Sequence, residues 1–107
     1  MVRKKERLST KEFSRFFSLG KRLHSPSLTL VYTKAIGLSV AVVVSKKVAR
    51  SAVMRNHLRR RLYSLIQTFQ PTGGVYIVIA KPQSATHTFL ELASEVQQLL
   101  GSAAKAR

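Results

Sequence analysis

An α+β domain with the element order αββαβα is the fold class this sequence predicts, as a small two-layer sandwich of one sheet with helices packed on it. Three observations carry that prediction. Two β-type stretches (28–34 and 38–45) precede a long helical stretch (52–69), and a third (75–81) follows it. The helical stretch is bounded by Pro71 and Gly73-Gly74, which stop a helix and turn the chain. Two capping-box spacings, Ser9 to Glu12 and Thr88 to Glu91, open amphipathic segments near the two ends.

The elements follow in order. A first helix is expected over about 10–19, with Phe13, Phe16 and Phe17 at i, i+3, i+4 on one side and Gly20 as its C′ residue. Ser25-Pro26 marks a loop. Leu28, Leu30 and Tyr32 then alternate against Thr29, Val31 and Thr33, which suits a strand. After Gly37 the run Val40-Ala41-Val42-Val43-Val44 suggests a strand that is buried on both faces or central in the sheet. The main helix, about Ala52 to Phe69, carries the stripe Met54, Leu58, Leu62, Leu65 and Phe69, with Asn56, Arg59, Arg60 and Tyr63 in the opposite sector. If the strands near 40 and 78 are parallel neighbours, this helix is a crossover, for which the general rule predicts a right hand. Phe89, Leu92, Val96 and Leu99 predict a last helix ending near Gly101. One domain is expected over 1–107, with a flexible basic arm at 1–7 and a flexible tail at 102–107.

Charge decides the function class. Nineteen Lys and Arg face four acidic residues, Glu6, Glu12, Glu91 and Glu95, for a formal net charge of +15. A polyanion is the expected partner, because each Lys or Arg placed on a phosphate releases a condensed counterion. With 45% apolar residues the chain is a folded domain rather than a disordered basic tail. It has no cysteine, so disulfides and Cys-based metal sites are excluded. No apolar segment suits a signal peptide or a membrane span, so a soluble, cytoplasmic protein is expected.

The densest chemistry lies between Lys46 and Arg61. Lys46, Lys47, Arg50, Arg55, Arg59, Arg60 and Arg61 fall within sixteen residues, interrupted by Val53, Met54 and Leu58 at helical spacing. The apolar residues are expected to dock the helix while the guanidinium groups present bidentate donors to phosphates. Asn56 adds an amide suited to a base edge or backbone group. The plainer reading is a solvated face that keeps the protein soluble. Such faces mix signs, whereas no acidic residue lies between Lys21 and Lys81. Phe13 and Phe17, with Tyr32 on a strand beside them, could stack on single-stranded RNA, although three aromatics on one helix face ordinarily mean packing.

These residues together resemble a known family. Arg7-Leu8, Glu12-Phe13-Ser14-Arg15-Phe16-Phe17 and Gly20 are similar to the opening of the protein component of bacterial ribonuclease P. Ser45-Lys46-Lys47 followed by Ala52-Val53-Met54-Arg55-Asn56-His57-Leu58-Arg59-Arg60 resembles that family's signature helix, and Val75 to Lys81 its following strand. The likeness runs from about Arg7 to Leu100. His57 stands where the family has Arg, Tyr63 where another Arg is common, and Val75 where the third strand usually starts acidic. Ala49-Arg50-Ser51 replaces a Gly-Asn pair. The resemblance implies a ribosomal-protein-S5-domain-2-like fold whose βαβ crossover is left-handed, against the general rule. It implies a catalytic-RNA surface, with Arg50, Arg55, Asn56, His57, Arg59, Arg60 and Arg61 placed on or beside the matching helix. It also implies a cleft for the single-stranded 5′ leader of precursor tRNA, formed by Phe13, Phe17, Tyr32, Lys46, Lys47 and Lys81. The implied partners are the ribonuclease P RNA subunit and precursor tRNA, with neither membrane nor DNA. The implied cofactor is Mg2+ held mainly by the RNA, which carries the hydrolysis.

The residues agree that this chain is not itself the catalyst. Two-metal phosphodiester hydrolysis needs clustered carboxylates, and four scattered Glu with no Asp do not supply them. His24, His57 and His87 show no metal-ligand spacing. Two rivals bind without chemistry: a ribosomal or RNA-chaperone protein, which predicts no leader discrimination, and a DNA-binding regulator. The regulator would need a helix-turn-helix or a dimer, while strands flank this basic helix. A membrane-surface role would need an exposed bulky apolar face beside the charges.

Overall fold

The computed structural model describes residues 10–69, 71 and 73–105. The basic arm, Ser9 of the first capping box and the last two residues lie outside them. The elements are α1 (Thr10–Leu19), β1 (Lys21–His24), β2 (Leu28–Thr33), β3 (Leu38–Val43), α2 (Ala52–Phe69), β4 (Gly74–Ala80), a 3-10 turn (Pro82–Thr86) and α3 (Phe89–Lys105). The strands form one mixed sheet in the order β1-β2-β4-β3. β1 pairs with β2 and β2 with β4, both antiparallel, while β3 and β4 are parallel. α2 is therefore a crossover between parallel neighbours.

Strand β1 is absent from the αββαβα order expected above. Lys21-Arg22-Leu23-His24 has one apolar residue and an exposed edge, so it carries no alternation of its own. It is a strand because the Ser25–Ser27 turn folds it back onto β2, with Lys21 opposite Tyr32 and His24 opposite Thr29. α3 also runs on to Lys105 instead of ending near Gly101, and Ala103 in that last turn is fully buried. A mid-helix glycine is tolerated when packing outweighs its lower propensity.

The parity of each strand sorts the core onto two faces. Leu28, Leu30, Tyr32, Val40, Val42, Tyr76, Val78 and Ala80 face α2 and α3, meeting Leu58, Leu62, Leu65, Ile66, Leu92, Val96 and Leu99. Val31, Val75 and Ile77 face the other way, where Phe13, Phe16 and Phe17 of α1 pack on them. Helices thus lie on both faces, rather than in a single layer over one. Each fully buried Leu or Ile contributes roughly 1.5–3 kcal/mol. Gly20 permits the tight passage from α1 into β1, since a Cβ there would overlap Val31 Cγ1. Gly74, at φ +150°, starts β4 in a conformation that other residues rarely adopt.

The stripe assigned to α2 is right in its middle and wrong at its start. Leu58, Leu62, Leu65 and Ile66 are buried, but Val53 and Met54 in the first turn are exposed. Tyr63, placed by periodicity among the outward residues, is half-buried. Its hydroxyl accepts the Val42 N–H at 3.2 Å, covering a donor on edge strand β3.

Candidate nucleic-acid interface

Because β3 and β4 are parallel, the residues that follow them emerge at the same end of the sheet. Lys46 and Lys47 follow β3, Lys81 follows β4, and the start of α2 follows Lys47. The basic residues 46–61 thus extend from one end of the sheet along the outer side of α2. Ser51 caps this helix, its hydroxyl accepting the Met54 N–H at 3.3 Å.

The side chains assigned to RNA on α2 have different local duties. Arg55 is half-buried, and its guanidinium donates to the Ala49 and Arg50 carbonyls at 3.1 and 2.6 Å. It fastens the loop that carries Arg50, which itself is exposed. Arg59 donates to Asn56 Oδ1 at 3.3 Å, and Arg61 donates to His57 Nε2 at 3.2 Å. These pairs hold two guanidinium groups in fixed directions without neutralising them. Asn56, His57 and Arg60 are exposed, and an open groove of about 460 Å³ runs between Ala52, Val53, Asn56, His57, Arg59 and Arg60. The surface is cationic, and it contains no acceptor carboxylate that would compete with a phosphate.

On the other sheet face, Phe13 and Phe17 stack with centroids 5.6 Å apart and an interplanar angle of 27°. Both are half-buried, so each ring serves the α1–sheet core and keeps an exposed part. The Arg22 guanidinium lies 4.6 Å from the Phe17 centroid and donates to the Phe17 carbonyl at 3.2 Å. Arg22, carried by the unforeseen strand β1, adds a cation to this aromatic pair. The apolar surface under α1 includes the half-buried Val43 and Ile79, the last β3–β4 pair before the lysine end.

Tyr32 is not part of this surface. It is 4% exposed, on the sheet face opposite α1, with its ring 5.1 Å from that of Tyr76. One residue of strand parity separates the two faces, and Val31 is the β2 residue beneath α1. Lys46 and Lys47 are exposed. Lys81 is half-buried, and its ammonium donates to the Ser25 carbonyl at 2.9 Å.

A polar network behind Lys81 was not expected from the sequence. Glu95 of α3 is buried and accepts from the Ser25 hydroxyl, the Ser27 N–H (2.9 Å) and the Ser27 hydroxyl (2.6 Å). His87 Nε2 lies 3.3 Å from the same carboxylate. Burial works to raise the Glu95 pKa, but these hydrogen bonds and His87 outweigh it, and the carboxyl sits below its ordinary range. The network pins the β1–β2 turn to α3, and that turn supplies the Lys81 acceptor. Its sequence signal was a Glu inside the stripe Leu92, Val96, Leu99. Among the described residues, no group of three or more His, Cys, Asp or Glu side chains could hold a metal ion. No described helix is long and apolar enough to cross a membrane.

Comparison with known proteins agrees with this architecture. A family model described as Ribonuclease P matches residues 1–104. The chain is 32% identical over 100 residues to the ribonuclease P protein component of Synechococcus sp. (strain JA-2-3B'a(2-13)), covering 85% of this chain and 75% of that one. It is 33% identical over 105 residues to the Chromobacterium violaceum protein of the same name, covering 94% and 86%. The solved Staphylococcus aureus RNase P protein superposes with a TM-score of 0.83 at 20% identity, covering 92% and 94% of the two chains. The Thermotoga maritima RNase P protein gives 0.77 at 23%, covering 89% and 94%. The structural likeness speaks for the fold, and the sequence matches carry the rest: this chain belongs to the ribonuclease P protein family.

Proposed function

We propose that this chain is the protein subunit of a ribonuclease P ribonucleoprotein, assisting endonucleolytic removal of the 5′ leader from precursor tRNA. The observation that carries the reading is the family match over residues 1–104, joined to a cationic α2 surface in a chain of net charge +15. In this reading the RNA subunit performs the hydrolysis with its own Mg2+, and the protein contributes binding. Asn56, His57, Arg59, Arg60 and Arg61 face the catalytic RNA, with Arg50 beside them and Arg55 holding their loop. Phe13, Phe17 and Arg22 stack on unpaired leader nucleotides, and Lys46, Lys47 and Lys81 take leader phosphates at the adjoining sheet end. Tyr32 has no part in it. The S5-domain-2-like fold assignment and the left-handed crossover belong to the same reading, as does a cytoplasmic location, where precursor tRNA would be met.

The test is cleavage of precursor tRNA by a bacterial ribonuclease P RNA at low Mg2+, with and without the protein, on substrates with long and with no leader. Rescue that depends on the leader supports both surfaces. RNA binding without rescue would point to a ribosomal or chaperone role, and cleavage by the protein alone would overturn the division of labour.

A further inference from the structure

The cationic surface of α2 does not end with α2. Beyond the 3-10 turn, the first residue of α3 is Phe89, a residue that is 47% exposed. The backbone that carries this ring is fixed by the helix cap. Thr88 and Glu91 form a reciprocal capping box, Thr88 N–H to Glu91 Oε1 at 2.8 Å and Glu91 N–H to Thr88 Oγ1 at 3.2 Å. From α2, the Arg61 guanidinium lies 5.9 Å from the Phe89 ring centroid. Arg61 is itself held by His57. The same Arg61 borders a small cavity of about 60 Å³ between α2 and the 3-10 turn, floored by Met54, Leu58 and Ala85 and edged by His57 and His87.

Aromatic ring, planar cation, apolar floor and the exposed His57 imidazole are what an unpaired nucleobase uses: a face to stack on and polar groups for its edge. A double-helical backbone would use the charges alone and leave Phe89 in water. We infer that Phe89 and Arg61 form a stacking site for an unpaired base of the catalytic RNA. This extends that RNA's interface across the 3-10 turn onto α3, and it rests on the function proposed above. Charge complementarity selects RNA, and continuity with the α2 surface, on the sheet face away from Phe13 and Phe17, selects the catalytic RNA over the leader.

The chain has no tryptophan, so Phe89→Trp places a single reporter in the site. Full-length Phe89→Trp protein would be titrated with a bacterial ribonuclease P RNA and, separately, with a single-stranded leader oligonucleotide. Quenched emission and shielding from acrylamide are expected with the first and not with the second. Phe89→Ala should weaken binding to the ribonuclease P RNA on the order of tenfold, with Phe89→Tyr close to wild type. Unchanged emission while wild-type and variant proteins saturate the RNA would overturn the stacking site and leave the function standing. Quenching by the leader alone would overturn the assignment to the catalytic RNA. No binding of wild-type protein to that RNA would remove the function and this inference together.

Discussion

At the scale of single residues, the arginines of α2 divide into those that build the surface and those that are the surface. Arg55 satisfies two loop carbonyls. Arg55→Lys replaces a fork by a point charge and should lower stability by about 1–2 kcal/mol in denaturant titration. Arg60 is exposed. Arg60→Ala should leave stability within about 0.5 kcal/mol and instead weaken RNA binding with a shallower salt dependence. If both variants behaved alike, the division would be wrong. Glu95 makes a second residue-scale case. Its carboxyl is held below its ordinary range in the fold, so it contributes stability that is present above an ordinary glutamate's value, roughly pH 4.3, and lost as pH falls through the lowered value. Glu95→Gln should flatten the acid limb of a stability–pH curve. Glu95→Ala should cost about 1–3 kcal/mol at neutral pH by leaving Ser25 and Ser27 donors unpaired.

At the scale of elements, α2 is asymmetric along its length. Its C-terminal two-thirds is a core helix, through Leu58, Leu62, Leu65 and Ile66, and its first turn projects into solvent. Leu62→Ala should therefore cost about 2–5 kcal/mol in thermal or chemical denaturation, while Met54→Ala, at an exposed position, should cost little. The same asymmetry places the arginines: a helix buried throughout would leave no room for a groove between Asn56, His57 and Arg60. For α3, the Thr88 cap sets where the helix begins. Thr88→Ala should cost about 1 kcal/mol and fray the turn that presents Phe89, visible as faster amide exchange there.

For the molecule as a whole, charge dominates association. A net charge of +15 with no acidic residue between Lys21 and Lys81 leaves the α2 surface without internal neutralisation. If about six phosphates are contacted, affinity for the RNA subunit should fall steeply with salt, by roughly a thousandfold between 50 and 200 mM. A flat salt response would mean that stacking and shape, not counterion release, carry the binding. The sheet and its two apolar faces let the fold carry this charge, because burial of the β2–β4–β3 strands supplies the stability that like-charge repulsion opposes.

The sequence by itself determined the net charge, the three long helices, the three apolar strands and the helix that bears the cations. Each of these rests on composition or on a local period, which neighbouring residues alone express. Tertiary structure decided whatever depends on a partner distant in the chain. β1 exists because β2 is there to pair with it. Tyr32 faces α2 and α3 while Val31 faces α1, because alternation says which residues share a face but not which face meets α1. Tyr63 turned inward because an edge N–H on β3 needed an acceptor, and Arg55 because loop carbonyls needed a donor. Glu95 found Ser25 and Ser27 some seventy residues away, and Phe89 found Arg61 across two elements. Such pairings are set by packing geometry, and no local periodicity records them.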